Sequence, residues 1–192
     1  MVIRKTTISA VATLLLTSAG AAPAKDDVTE RMEAARAAAA EFAASLIGEL
    51  QKAIAAGGAV NAIGVCNVAA AKIAADKSAE RHMTIGRTSL KLRQPKNVPD
   101  DWELAQLKRF EERKAAGEIP ASIEVGEYAE KDGKRVFRYM KAIPTGALCL
   151  NCHGTSLAPE VAAKLHELYP GDAATGFNAG DLRGAFTITE MP

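Results

Sequence analysis

The chain has few aromatic residues, few cysteines and no excess of charge of either sign. Of its 192 residues 5% are aromatic, and 24 basic side chains are balanced by 23 acidic ones. This balance provides neither a positive field for nucleic acid nor an acidic tail. The 15 Gly and 8 Pro are too few for a disordered or collagen-like chain. Because the 3 Cys are an odd number, no set of paired disulfides uses them all.

The N-terminus has the order of a secretory signal peptide. Arg4-Lys5 precedes an apolar run at about residues 8–16, and the small residues Ala22-Pro23-Ala24 follow. The apolar run is shorter than the roughly 20 residues that span a bilayer, which argues against an uncleaved membrane anchor. We expect cleavage near Ala24, with a cut after Ala21 as the alternative. The mature chain is then exported to the periplasm, has no membrane span and meets conditions that oxidise thiols.

Residues 1–24 are therefore the predicted signal peptide, and residues 25–192 are predicted to form one domain. Apolar spacing indicates helices first and antiparallel strands afterwards, an order typical of an α+β fold. Glycine pairs, a capping box and an Asp-Gly turn supply the boundaries, and no further apolar stretch suggests a membrane helix. The predicted helices lie at 27–56, 59–77, 100–116 and 159–168, and the predicted strands at 83–93, 122–130, 135–143 and 182–189.

Cys149-Leu150-Asn151-Cys152-His153 is the one strongly specific motif. In a Cys-x-x-Cys-His run both thiols form thioethers with haem vinyl groups, and the adjacent His ligates the iron. A thioredoxin-like thiol pair would begin a helix in a βαβ pattern, and a zinc site would need further ligands at close spacing. We therefore predict one covalent haem c, attached through Cys149 and Cys152, with His153 as the proximal iron ligand.

The residues alone leave the ligand on the other face of the iron open. Once haem uses two Cys, Cys66 is an unpaired thiol, which makes it either a ligand or a small buried residue. Met is also a common partner of His in c-type cytochromes. Spacing ranks Cys66, His82 and the Met residues about equally, whereas His166 fits an amphipathic helix face. The candidates besides Cys66 are His82, His166, Met32, Met83, Met140 and Met191.

Segments spread over nearly the whole mature chain resemble a family of single-haem c-type proteins first described in cyanobacteria. Their combined order, from the first helix to the last strand, is more specific than any one of them. The resemblance implies a PAS-like antiparallel sheet with long N-terminal helices and His/Cys ligation of the iron. The segments are Gly64–Asn67, Ile85–Asn97, Phe137–Ile143, Cys149–Gly154 and Gly180–Phe186.

The resemblance also implies a distal ligand. In that family a helix Cys upstream of the first strand ligates the iron, and Cys66 occupies that place. The haem propionates need cationic donors, for which the planar Arg fork is suited. We expect them from Arg87 and Arg93, placed on one strand face, and from Arg183 at the start of the last strand. Arg87 is the first choice.

These ligands predict a redox protein. A thiolate stabilises ferric over ferrous iron, so we expect a low reduction potential. The expected function is electron transfer or another redox reaction of an exported monohaem cytochrome with a periplasmic partner. The alternative is a sensor of redox state or of a gas such as CO or NO, in which reduction releases Cys66 and a signalling protein responds. A peroxidase would need an open iron and a distal acid–base residue, so we expect no enzyme.

Overall fold

A computed structural model describes residues 25–190, which form an α+β fold around a four-stranded antiparallel sheet with the strand order β1-β4-β3-β2. The predicted α+β class is confirmed. The signal peptide, its cleavage near Ala24 and the candidate ligand Met191 lie outside the described residues. The elements are α1 (Lys25–Arg81), β1 (Thr84–Thr88), α2 (Asp101–Ala115), β2 (Glu124–Lys131), β3 (Lys134–Pro144), α3 (Leu150–His153), α4 (Pro159–Leu168) and β4 (Leu182–Glu190).

Helix α1 is broken at the glycine pair that the sequence predicts as a stop. Gly57 (φ −169°, ψ 25°) and Gly58 (φ 73°, ψ −171°) leave helical geometry. Gly58 adopts a positive φ, which costs a residue with a Cβ atom more than it costs glycine. The break divides α1 into a first arm, residues 25–56, and a second arm, residues 59–81. The second arm runs past its predicted end at residue 77.

The first arm packs against one face of the sheet. Its small residues Ala35, Ala38 and Ala39 are at most 1% exposed, and they allow the helix to approach the strands closely. Phe42 completes this face and meets Phe186 edge to face at a centroid distance of 5.7 Å. The alanine-rich stretch is thus a packing surface, which continues on the sheet through Ile85, Phe137, Tyr139 and Ile188.

Helix α2 covers the opposite face of the sheet. Its N-terminus has the expected capping box, in which Asp100 Oδ1 accepts from the Glu103 amide and Glu103 Oε2 accepts from the Asp100 amide, both at 3.0 Å. Leu107 and Phe110 then face the sheet. Sheet residues in the same cluster are Met140, Ala142, Leu182 and Ala185. The sheet is therefore buried on both faces.

The hairpin prediction is confirmed and the first-strand prediction is wrong in its length. Asp132 (φ 52°) and Gly133 (φ 71°) form the turn between β2 and β3. Strand β1 ends at Thr88 rather than Arg93. The chain turns there because Ser89 Oγ accepts from the Lys91 amide at 3.1 Å. Arg93 therefore does not share a strand face with Arg87.

Helix α1 also corrects the expectation that no further stretch is apolar and long enough for a membrane helix. By length and composition it could cross a membrane, since one 18-residue window has a mean hydropathy of 1.6 and 17% of that window is buried. The absence of a membrane span from the mature protein stays a prediction.

Candidate functional site

The Cys-x-x-Cys-His motif forms a single helical turn at one end of the sheet. Cys149 ends a short 3-10 turn and α3 continues directly from Leu150 to His153. Residues three apart on a helix lie on the same side, so Cys149 and Cys152 face the same direction. Both thiols are free and half-buried. The motif therefore presents two free thiols next to an imidazole.

The imidazole of His153 is held in one tautomer. Its Nδ1 lies 2.6 Å from the carbonyl oxygen of Ala174, which accepts a hydrogen bond and thereby keeps the proton on Nδ1. Burial lowers the pKa of His153 to about 3, with the Arg183 charge acting in the same direction, so the ring is neutral at pH 7. A neutral imidazole with its Nδ1–H bound to a carbonyl offers Nε2 as a metal ligand.

Residues 172–177, which we name the return segment, hold this histidine in place. The amides of Phe177 and Gly176 donate to the carbonyls of His153 and Gly154, both at 3.0 Å. The Phe177 ring meets the His153 ring edge to face at a centroid distance of 6.2 Å. The sequence did not predict a role for this segment, because it has no helix or strand periodicity.

Asp172 shapes the return segment. Its Oδ1 accepts from the Ala174 amide at 2.8 Å, which forms an Asx turn. The Ala173 amide donates to the Leu92 carbonyl at 2.8 Å, so the segment is also tied to the loop that follows β1. The local sequence signal from which this turn could have been predicted is an Asp two residues before a small residue.

The three arginines proposed for the propionates have different surroundings. Arg93 is engaged, because its Nε binds Asp172 Oδ2 at 3.0 Å and its Nη2 binds the Cys152 carbonyl at 2.5 Å. The Nε of Arg183 lies 3.2 Å and 3.4 Å from the two ring nitrogens of His153. Its Nη1 donates to Ser89 Oγ at 3.1 Å.

Arg87 differs from both. Within residues 25–190 its side chain makes no hydrogen bond or ion pair, although it is largely withdrawn from solvent and burial lowers its pKa. A desolvated guanidinium without a counterion is costly. Arg87 is therefore the arginine whose charge is available to an anionic group.

The structure places Cys66 close to the motif. Cys152 packs against a cluster that contains Ile63, which lies one turn before Cys66 on the second arm. Burial raises the pKa of the Cys66 thiol, and the nearby charges of Arg87 and Arg93 act against that rise. Cys66 in turn raises the pKa of Cys152, behind the larger effect of burial. The second arm thus brings the third thiol to the same site.

The other candidate ligands occupy other places. His82 and His166 are exposed on the surface. Met32 and Met83 pack with the first arm, and Met140 is buried under α2. The structure therefore does not bring these alternatives together with the motif as it brings Cys66.

This donor set fits a c-type haem. Within residues 25–190 no three His, Cys, Asp or Glu side chains lie close enough to hold a metal ion by themselves. The site instead offers two thiols for thioether bonds, a neutral imidazole, a third thiol and the unpaired guanidinium of Arg87. Thioethers, axial ligands and a cation for a propionate are what such a group requires.

The fold and the site define an α+β protein whose sheet carries a Cys-x-x-Cys-His turn below a broken N-terminal helix. The Tll0287-like family matches residues 17–190, so the chain belongs to that family. A solved structure described as the cyanobacterial heme-protein Tll0287 is 22% identical, and the match covers 87% of this chain and 96% of that chain. The TM-score of 0.60 shows a shared fold. No curated protein matches the chain.

Proposed function

We propose that the protein is an exported monohaem c-type cytochrome that transfers electrons, and that His153 and Cys66 would hold its iron. Three things support this proposal: the attachment motif, membership of the Tll0287-like family and the shared fold with a protein described as a heme-protein. The signal-peptide order of residues 1–24 supports a periplasmic location, where c-type haem is attached and thiols are oxidised.

Haem bound at this site would supply one-electron redox chemistry. Cys149 and Cys152 would hold it covalently, and His153 would bind through Nε2 while its Nδ1–H donates to the Ala174 carbonyl. Cys66 would bind as a thiolate, whose charge favours the ferric state. Arg87 would neutralise a propionate, and Arg183 is a second candidate for that contact. Arg93 is the weakest of the three candidates because its guanidinium is already occupied.

One observation carries this assignment: the second arm brings Cys66 to the motif. Ile63, one turn from Cys66, is 4% exposed and packs in the cluster that includes Cys152. The Gly57-Gly58 break makes this possible, because a straight α1 would not redirect the second arm. The other described candidates are either exposed or packed in the two sheet clusters.

The test is the ferric absorption spectrum of the haem-matured protein and its Cys66→Ala variant. We expect the wild type to be low-spin with a thiolate signature and Cys66→Ala to become high-spin. Val68→Ala is the matched control, since Val68 lies on the same arm and is 74% exposed. Identical spectra for wild type and Cys66→Ala would make Cys66 a packing residue, and His82 and Met140 would be tested next.

Covalent attachment is tested separately. Cys149→Ala and Cys152→Ala should each lose one thioether, and the double variant should lose all haem on a denaturing gel stained for haem. A double variant that keeps haem through denaturation would contradict attachment at the motif.

A second candidate function is a sensor of redox state or of CO or NO. Reduction of a bound haem would remove positive charge at the iron, which would weaken a thiolate bond and favour protonation of Cys66. Release of Cys66 on reduction would then leave a position for a gas. The test is the addition of CO to the ferrous protein, where a changed spectrum supports the sensor and an unchanged spectrum supports the electron carrier.

A further inference from the structure

We propose that Arg93 is a positioning residue for His153: anchored by Asp172, it holds the carbonyls of Cys152 and Ala174 so that the imidazole stays bound to Ala174. The inference rests on the proposed function, because it takes His153 as an iron ligand. It assigns Arg93 a different role from the propionate contact expected from the sequence.

The anchor is a buried ion pair. Arg93 and Asp172 have side chains that are 13% and 9% exposed, and Arg93 Nε lies 3.0 Å from Asp172 Oδ2. The second oxygen of Asp172 accepts from the Ala174 amide at 2.8 Å. One carboxylate therefore orients both the guanidinium and the residue whose carbonyl binds His153.

Nη2 of Arg93 connects the attachment turn, through Cys152, with the return segment, through Ala174. Arg93 Nη2 donates to the Cys152 carbonyl at 2.5 Å and to the Ala174 carbonyl at 3.3 Å. The same Ala174 oxygen accepts from His153 Nδ1 at 2.6 Å. Arg93 thus ties the attachment turn to the return segment at the atom that orients the imidazole. A lysine cannot make these contacts together, because it lacks the planar fork.

The hydrogen bond from Nδ1 increases the electron donation of a ligating imidazole. If the Ala174 carbonyl shifts, this bond weakens, the ferric state loses stabilisation and the reduction potential rises. The charges alone predict something different. Removing the positive Arg93 would favour the ferric state and lower the potential, whereas removing the negative Asp172 would raise it.

The experiment is spectroelectrochemical titration of the haem-matured protein and four variants, Arg93→Gln, Arg93→Lys, Asp172→Asn and the control Arg109→Gln. Arg109 is an exposed arginine on α2 that takes no part in these contacts, so its variant removes a charge without changing them. We expect the first three variants to change the ratio of ferric to ferrous stability about tenfold in the same direction, a rise of about 59 mV for a one-electron couple. The control should stay near wild type.

A pattern of reduction potentials that follows the charges would overturn the proposal. If Arg93→Gln lowers the potential, Asp172→Asn raises it and Arg93→Lys leaves it unchanged, Arg93 acts by its charge and the proposal is overturned. Unchanged potentials in all variants overturn it as well. Urea unfolding of each variant identifies loss of folding, and Arg93→Lys, which keeps the charge, still tests the geometry if Arg93→Gln does not fold.

Failure of the proposed function would be detected in the wild-type protein or in a His153→Ala variant, and not in the variants of Arg93 and Asp172. A wild-type protein without covalent haem, or a His153→Ala variant with an unchanged spectrum, would remove the iron ligand on which the proposal depends. If the wild-type spectrum is as expected but the potentials of the variants follow the pattern that the charges alone predict, the cytochrome assignment stands. Only the positioning role of Arg93 is then refuted.

Discussion

Two groups of charged side chains in this protein differ in their charge balance. The Arg138 group (Arg138, Lys131, Asp100 and Glu103) lies under α2, and the Arg87 group (Arg87, Arg93, Arg183 and Asp172) lies beside the motif. Arg138 is 2% exposed and reaches Asp100 at 2.8 Å and Glu103 at 3.3 Å. Arg87 has no such partner in the part of the chain that the structure describes.

The difference separates a charge-balanced network from the candidate binding site. In the Arg138 group two cations face two carboxylates, and the Arg138 guanidinium also lies 4.3 Å from the Trp102 ring centroid. The Arg87 group has three cations and one carboxylate, Asp172, which pairs with Arg93. The first group is balanced in charge, although Nε and Nη2 of Arg138 make no hydrogen bond within the described residues. Since buried charge is costly without compensation, the excess positive charge of the second group suits anions from outside the chain. Two haem propionates would supply that charge.

The largest change in the free energy of unfolding should come from the Arg138 group. We expect Arg138→Leu to destabilise the protein by about 3–5 kcal/mol, because it leaves two carboxylates without their buried partner. Urea unfolding measures the change. Arg135→Leu is the matched control on the same strand, since this exposed arginine lies over the Tyr128 ring and its loss should cost about 1 kcal/mol or less. Equal losses for both variants would contradict the comparison.

The same network predicts acid sensitivity. Burial would raise the pKa of Asp100, but hydrogen bonds from Arg138 and Lys131 outweigh it and hold the pKa below its usual 3.8. The contribution is therefore complete at neutral pH and is lost as the pH falls below about 4. With Asp100 36% exposed, we expect about 1 kcal/mol after solvent screening. Asp100→Asn keeps an N-cap and should reduce the loss of unfolding free energy below about pH 4. An unchanged loss in this variant would refute the assignment to Asp100.

The Arg87 group should contribute less to the free energy of unfolding. In a chain that cannot attach haem, Cys149→Ser with Cys152→Ser, we expect Arg87→Leu to change the free energy of unfolding by less than about 1 kcal/mol, because no partner is lost. Urea unfolding again measures it. A loss as large as that of Arg138→Leu would show that Arg87 stabilises the fold and is not reserved for a ligand.

The smallest effect belongs to an exposed pair outside both groups. Lys72 and Asp76 lie 2.7 Å apart on the second arm, and their side chains are 74% and 51% exposed. We expect Asp76→Ala to cost less than about 0.5 kcal/mol and this cost to disappear in 1 M salt. Thermal unfolding at low and high salt checks this, and a salt-independent loss would point to a packing role instead.

Much of the local structure was predictable from the sequence. The Gly57-Gly58 break, the capping box at Asp100 and the turn at Asp132-Gly133 depend on neighbouring residues, and the structure has all three. The Cys149–His153 motif is likewise a local signal. β1 was predicted too long because the alternation continues after Thr88, while the Ser89 side chain turns the chain.

The sequence by itself determined the α+β class, the order of its elements and the residues that carry the chemistry of the motif. Only the tertiary structure decided which arginine is engaged and which is free. Arg93 meets Asp172 across 79 positions of the chain, and Cys66 reaches the motif only because α1 is broken. Such partners depend on how the elements pack, and no local pattern records contacts between residues so far apart in sequence.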